Sequence, residues 1–480
     1  PLYRPVQDPN GPLGQEIAQD PVTGAYAPAV YTGAFTGSFN FPGMVLSSDK
    51  RYPAGFREQH GPQVSPRFGF AYDPFGNGKT AIRGGFAVMK ETAPSYNAYT
   101  WAMVTNPPVQ VQPTIFYGNM DTLLSRSGLL FPVGASSIEK TDKVPSIYRY
   151  SFGVQRDIGF HTVADISYVG NVGRHLIQTQ DQNETPYGAR FRPQNIDPVT
   201  GLAYPDDFFR PVPGYEGLGM LMNAGVSNYN SLQVAVNRRF SRGVSGGIAY
   251  TWSHTFSTGG SEGDPLPRYL PWRVWTYGPA NFDQTHMFIV NCVWNLPKAS
   301  RLVQGSGAKW VVGSVLDNWE LSGITTMASG LPQSIDLGTV QGLDLTGGGD
   351  GVRANVIARP QLSHGARSFK RWFNTAAFAL PNLPTGTTVD PGNASVFPFR
   401  GPGQNNWDLT FVKKFPLKSE SRSLQFRAEL YNAFNHTQFQ AVDNNAVFDA
   451  TTGAQVNGEF GQVVATRQPR VIQLSVRLDF

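Results

Sequence analysis

The 480-residue sequence has a single cysteine, Cys292, few charges and no long apolar run. One cysteine can form neither an intramolecular disulfide nor a cysteine metal cluster. Charged residues make up 15% of the chain, where ~25% is usual for a soluble domain. No stretch approaches the ~18 consecutive apolar residues of a membrane-spanning helix, and mean hydropathy is negative, −0.27. Leu, Ala, Glu and Lys are too sparse for a helical bundle. Catalytic signatures are missing too: there is no GxSxG elbow, no Walker loop and no dinucleotide fingerprint behind a strand. The seven histidines (His60, His161, His175, His254, His286, His364 and His436) are scattered, and none pairs at the spacing of a compact metal site. His436, in Asn435-His-Thr437, reads as a loop hydrogen-bonder. No catalytic residue and no cofactor is expected.

What is present is aromatic side chain, 12%, and turn residue, with 52 Gly and 37 Pro. The chain is too aromatic to be disordered, and its glycines lack the collagen triplet. Large β architectures remain. Net charge is +5, but the 39 basic and 34 acidic residues are interspersed. Pairs such as Arg238–Arg239, Lys370–Arg371 and Lys413–Lys414 stand alone, so no basic stripe for nucleic acid is expected. The chain starts at Pro1 without a charged-then-apolar signal segment. A segment upstream of Pro1 is therefore expected to be missing.

The clearest local pattern is the last ten residues. Ile472, Leu474, Val476, Leu478 and Phe480 alternate with Gln473, Ser475, Arg477 and Asp479. Period 2 places the apolar set on one face of a strand and the polar set on the other. Ten residues is also the length of a membrane-crossing strand, ~9–11. Similar alternation occupies 66–72, 80–91, 147–158, 162–172, 228–240, 243–256, 284–296, 405–416 and 422–434, with a weaker case at 316–328. The turn-forming stretch Asp73-Pro-Phe-Gly-Asn-Gly-Lys79 separates the first two. Gly84-Gly85, inside a strand pattern, reads as a bend or bulge.

Connection lengths alternate along the chain. Tight links follow 66–72, 147–158, 228–240 and 405–416, and a medium one follows 284–296. Long loops lie at about 92–146, 173–227, 257–283, 329–404 and 435–469. Short turns on one side and long loops on the other are the arrangement of an outer-membrane barrel, periplasmic and extracellular respectively. The expected fold is thus all-β, an antiparallel transmembrane β-barrel portion with about 11 strands visible. With Phe480 at the periplasmic edge, every tight turn falls on the periplasmic side. Residues 1–65 then form an extracellular loop region left from a missing upstream strand, and 66–480 hold the barrel strands and loops. Bacterial single-chain barrels have even strand numbers, so an odd count predicts the C-terminal part of a larger barrel. Tyr168, Phe240, Trp294, Trp407 and Phe415 end strands, where interfacial girdles are expected.

Several segments together resemble the Oar-like TonB-dependent receptors, large outer-membrane transporters. They are Ser65-Pro-Arg-Phe-Gly-Phe-Ala-Tyr-Asp-Pro-Phe-Gly-Asn-Gly-Lys79, Tyr229-Asn-Ser-Leu-Gln-Val-Ala-Val-Asn-Arg-Arg-Phe240, Ala249-Tyr-Thr-Trp-Ser253, Trp319-Glu-Leu-Ser-Gly323 and Trp372-Phe-Asn-Thr-Ala-Ala-Phe378. The most specific is Arg400-Gly-Pro-Gly-Gln-Asn-Asn-Trp-Asp-Leu409, followed by Phe426-Arg-Ala-Glu-Leu-Tyr-Asn-Ala-Phe-Asn-His436 and the terminal strand. The resemblance implies an outer-membrane location and a substrate bound at extracellular loops and passed through a plug-gated lumen. It implies partnership with the TonB complex through a plug that this chain does not hold, with the missing N-terminal part, the barrel-assembly machinery and outer-membrane lipid. Phe480 is, by resemblance to bacterial outer-membrane proteins, the assembly signal. A passive pore and a structural or adhesive surface protein are the alternative readings.

On the polar strand faces, Gln425, Arg427, Glu429, Gln473, Ser475 and Arg477 are candidates to face the lumen if the apolar face meets lipid. Asp344 and Asp350, in the glycine-rich stretch 342–353, are a weak calcium-loop candidate, since calcium favours several oxygen ligands on a flexible loop. A plain flexible turn is the simpler reading there.

Overall fold

The computed structural model describes residues 1–45, 48–53, 58, 61–91, 104–107, 109–112, 114, 121, 131–141, 143–261, 263–417 and 419–479. Phe480, His60 and most of the loop at about 92–146 lie outside the described residues. The chain's main sheet is a meander of eleven strands, each hydrogen-bonded to its neighbours in sequence. They are β1 (Arg67–Tyr72), β2 (Thr80–Lys90), β3 (Ser146–Gly159), β4 (Thr162–Asp181), β5 (Tyr215–Ser241) and β6 (Val244–Ser257). There follow β7 (His286–Asn295), β8 (Trp319–Ala328), β9 (Gln404–Leu417), β10 (Ser419–Tyr431) and β11 (Val471–Asp479). Every pair along this path is antiparallel. Number and order agree with the alternation pattern. Edge strands β1 and β11 do not pair with each other, so the sheet is not closed among the described residues.

Register explains why the alternation is so clean. Tyr150, Phe152 and Val154 lie opposite Gly170, Tyr168 and Ile166, which lie in turn beside Asn230, Leu232 and Val234. The last hairpin pairs Leu424 with Leu478, Phe426 with Val476 and Ala428 with Leu474. One face of the sheet is therefore apolar from edge to edge, and this face is exposed: Leu474 is 64% and Val476 67% accessible. A soluble domain would not leave such a band in water. Where a ring needs room, glycine supplies it. A Cβ at Gly170 would fall 2.1 Å from the Tyr150 ring, and one at Gly84 2.3 Å from that of Phe70. Gly84-Gly85 therefore serves as a seat for an aromatic ring in continuous register, not as a bulge.

The two ends of the sheet differ. At one end β3–β4 and β5–β6 close with two-residue turns, in which Phe160, His161, Arg242 and Gly243 all have positive φ. This is the turn geometry that matches strand twist. The connection β7–β8, at the same end, carries a helix, Ser306–Leu316, that alternation did not reveal. At the opposite end β4 and β5 run on well past the stretches at 162–172 and 228–240 marked by alternation. They reach 20 and 27 residues, where ~9–11 suffice to cross a bilayer. The hairpin thus stands far beyond any membrane-crossing band, and residues 1–45 pack on it. A small sheet of Arg4–Gln7, Glu16–Gln19 and Tyr26–Ala27 precedes the stacked pair Phe35–Phe39. Phe39 meets Tyr215 edge-on at 5.2 Å, and the Tyr215 hydroxyl donates to the Pro42 carbonyl.

The long segments 329–403 and 432–470 fold together into a lid with its own core. Phe373, Phe378, Phe399, Phe448 and Phe460 are buried in it with Ala354, Ala377, Val442 and Ala446. Asp336–Thr339 pairs in parallel with Asn445–Phe448, tying the two segments. The segment 328–333 runs so close to 400–403 that a Cβ at Gly330 would sit 1.8 Å from the Gly401 carbonyl oxygen. Gly330→Ala is expected to spread these backbones and destabilise the lid attachment by about 2–3 kcal/mol. Limited proteolysis of the folded protein would show it as faster cleavage within 329–404.

Candidate functional site

On the polar face of the sheet, odd-numbered residues of four adjacent strands converge. Asn171 on β4, Ser227, Tyr229 and Gln233 on β5, Thr251, Ser253 and Thr255 on β6 and Met287 on β7 line a cavity of about 570 Å³, with Phe282 and Gln284 at its border. Register places them together: Gln233 lies between Ser167 and Thr251, and Tyr229 between Asn171 and Thr255. The wall is held by its own hydrogen bonds. Gln233 Nε2 donates to Ser231 Oγ at 3.1 Å, and Ser231 Oγ to the Val169 carbonyl at 3.2 Å. Asn171 Oδ1 is buried without a hydrogen-bond partner. The cavity is thus lined by amide and hydroxyl side chains together with the apolar surfaces of Tyr229, Phe282 and Met287, with one acceptor unsatisfied.

Its rim is fixed by a charge pair. Asp283 is 1% exposed, its Oδ1 accepts from the Thr255 N–H at 2.6 Å, and its Oδ2 is paired with the Arg400 guanidinium. Arg400 Nη1 also donates to the carbonyls of Asp283 at 2.9 Å and Gly330 at 3.2 Å. One arginine therefore clamps the lid to the segment bordering the cavity. Elsewhere in the lid Arg353 stacks over Trp275 at 4.2 Å, and burial pushes its guanidinium down to about 10. A glycine strap makes a second junction. Gly348, at φ +119°, lies so near Thr185 that a Cβ would meet Thr185 Cγ2 at 2.4 Å. Asp350 accepts from the backbone N–H groups of Arg268 and Tyr269 at 2.7 and 2.6 Å. Asp344 is paired with Arg190 at 2.7 Å and accepts from the N–H groups of Thr346 and Gly347. Burial and the neighbouring Asp181 and Asp350 raise the Glu184 carboxyl in the same region.

The family described as "Outer membrane beta barrel domain" matches residues 12–473. The chain belongs to this family. Its place is the bacterial outer membrane. No curated protein matches it by sequence. Among solved structures it is similar to the outer membrane transporter YddB of Escherichia coli. That match has 12% identity and a TM-score of 0.41, covering 87% of this chain and 41% of that one. The FrpB iron transporter of Neisseria meningitidis gives 11% identity and TM-score 0.39, covering 86% and 39%. The ferric-catecholate import receptor Fiu of E. coli K12 gives 9% and 0.36, covering 86% and 34%. The chain thus spans less than half the length of each.

Within this barrel sheet the residues singled out from sequence share one polar face. Gln425, Arg427 and Glu429 on β10 lie opposite Arg477, Ser475 and Gln473 on β11. Arg427 pairs with Glu429 at 2.5 Å, and Arg477 with Asp479 at 2.7 Å. They sit at the edge of the sheet, on the third and fourth strands beyond β7, the nearest strand of the cavity. Asp344 and Asp350 do not converge; each is engaged by protein donors in the strap. Among the described residues no cluster of three His, Cys, Asp or Glu side chains is placed to hold a metal ion. The cavity residues themselves were missed. The signal was there, in the short polar side chains of Tyr229-Asn-Ser-Leu-Gln233 and Thr251-Trp-Ser253, but alternation gives the face and not the neighbours.

Proposed function

We propose that the chain is the C-terminal barrel portion and loop lid of an Oar-like TonB-dependent receptor. The apolar face meets lipid and the polar face, including Gln425, Arg427, Glu429, Gln473, Ser475 and Arg477, lines the lumen. The tight-turn end is periplasmic. The lid, the β4–β5 extension and residues 1–65 are extracellular. A substrate caught at these loops descends past the cavity when a plug, supplied by the N-terminal part of the receptor, is moved through the TonB complex. The observation that carries this reading is the cavity on the polar face, bordered by Phe282 and Gln284, between which Asp283 is paired with Arg400 of the lid. Amides and hydroxyls suit a neutral, hydroxyl- or amide-rich solute such as a glycan or a peptide.

Uptake of tagged neutral oligosaccharides and peptides by cells carrying the whole receptor tests this, with and without a working TonB complex. Uptake is expected to vanish without TonB. Gln233→Trp, which fills the cavity, is expected to lower it about tenfold or more, the effect of one central contact. Flux that is proportional to concentration and indifferent to TonB would instead identify a passive pore.

A further inference from the structure

The helix Ser306–Leu316 stands at the tight-turn end, and none of its residues is buried. Ala308, Val311, Val312, Val315 and Leu316 recur at i, i+3, i+4, i+7 and i+8, which gathers them on one face. Trp310 is 75% exposed, and Val311, Val315 and Leu316 are exposed with it. Such a helix has no reason to persist in water. What holds it is Lys413 of β9. This lysine lies on the apolar face opposite Trp319 and Phe426. Its ammonium lies over the rings of Trp319 and Phe415 and donates to the Asp317 carbonyl, just past the helix C-terminus. There a cation also meets the negative end of the helix dipole. The Trp319 indole donates to the Val315 carbonyl at 2.8 Å.

Between helix and sheet runs a groove of about 510 Å³ lined by Trp294, Leu296, Leu316, Trp319, Leu321 and Phe411. Trp294, Leu321 and Phe411 are opposite one another across β7, β8 and β9, so the groove floor is a continuation of the apolar outer wall. The connection on the groove's other side bears three exposed cations, Lys298, Arg301 and Lys309, which outnumber the carboxylates nearby, Glu320 in the groove lining and Asp317 close to Lys298.

We infer that this helix is an interfacial anchor lying in the membrane leaflet at the tight-turn end. The groove seats an acyl chain of an anionic glycerophospholipid, whose headgroup is held by Lys298, Arg301 and Lys309. Exposed apolar helix face, groove continuous with the lipid-facing wall and exposed cations on the same connection are the features of a helix that lies in the interface plane. The inference rests on the lipid-facing assignment made above; which leaflet is occupied rests on the proposed orientation.

The full-length receptor is reconstituted in vesicles of phosphatidylethanolamine with one part in four phosphatidylglycerol. A fluorophore on Val315→Cys, in a Cys292→Ser background, is expected to be quenched by acyl-brominated lipid and shielded from aqueous iodide. Retention of phosphatidylglycerol after detergent washing is expected to fall roughly fivefold for each of Lys298, Arg301 and Lys309 changed to serine. A Val315 label quenched by iodide and not by brominated lipid overturns the anchor. Retention unchanged in the triple serine variant overturns the headgroup site. A parallel label on Leu474→Cys separates the two readings: if it too is quenched only by iodide, the lipid-facing assignment itself has failed.

Discussion

Arg400→Met is expected to release the lid from the barrel rim and cost about 3–5 kcal/mol, because it leaves a buried carboxylate without its partner. Asp283 has almost no access to water, and its other oxygen is already committed to the Thr255 N–H. Three interactions vanish together, including the bond to the Gly330 carbonyl that joins the clamp to the tight crossing of 328–333 and 400–403. The double change Asp283→Asn with Arg400→Met removes the stranded charge and is expected to recover much of the loss. The temperature at which protease begins to cut within 329–404 measures both. Equal loss in the single and double variants would show that the stranded carboxylate is not the source of the cost.

Phe373→Ala is the second large effect. The ring is 1% exposed and touches three others, with centroids 4.1 Å from Phe399, 5.1 Å from Phe460 and 5.8 Å from Phe378. Truncating such a side chain costs about 3–5 kcal/mol through lost burial and the cavity left behind. All its partners lie in the lid, so the lid is expected to open while the sheet stays folded. Protease should then cut within 329–404 and 435–469, leaving the gel shift of the barrel intact. Phe373→Leu, which keeps most of the volume, should be far milder. Unfolding of lid and sheet in a single step would contradict the independence of this core.

These two residues also show what the sequence yielded and what it withheld. Trp372-Phe-Asn-Thr-Ala-Ala-Phe378 and the Arg400 motif drew notice as family signatures, yet their structural use is the lid core and the lid clamp. Strands β1–β11 were legible because one face meets an apolar medium and the other a polar one, which forces period 2 on the chain. Outside that band the constraint lapses. The outer part of β5, with Gly217, Gly219, Met220, Met222 and Gly225, and that of β4, with Gln178, Thr179 and Gln180, are strands through pairing alone, and periodicity is silent there. The helix Ser306–Leu316 is short and lies in a connection that read only as medium in length. For the cavity the obstacle was different: Asn171, Gln233, Thr251 and Ser253 are ordinary polar residues until register sets them side by side. The charged hairpin of Arg427, Glu429 and Arg477 was conspicuous in sequence for its charges, most of which pair along their own strands.

The assignment of the two faces is tested most directly at Cys292, the single cysteine of the chain. It is exposed on the apolar face of β7, between Gly246 and Gly323, where no neighbouring side chain covers it. A nitroxide attached there before reconstitution into vesicles reports collisions with oxygen, which concentrates in lipid, and with a nickel chelate, which stays in water. High oxygen and low nickel accessibility is expected at Cys292, and the reverse for a label on Gln233→Cys in a Cys292→Ser background. Nickel access at Cys292 with shielding at position 233 would turn the sheet inside out and contradict the assignment.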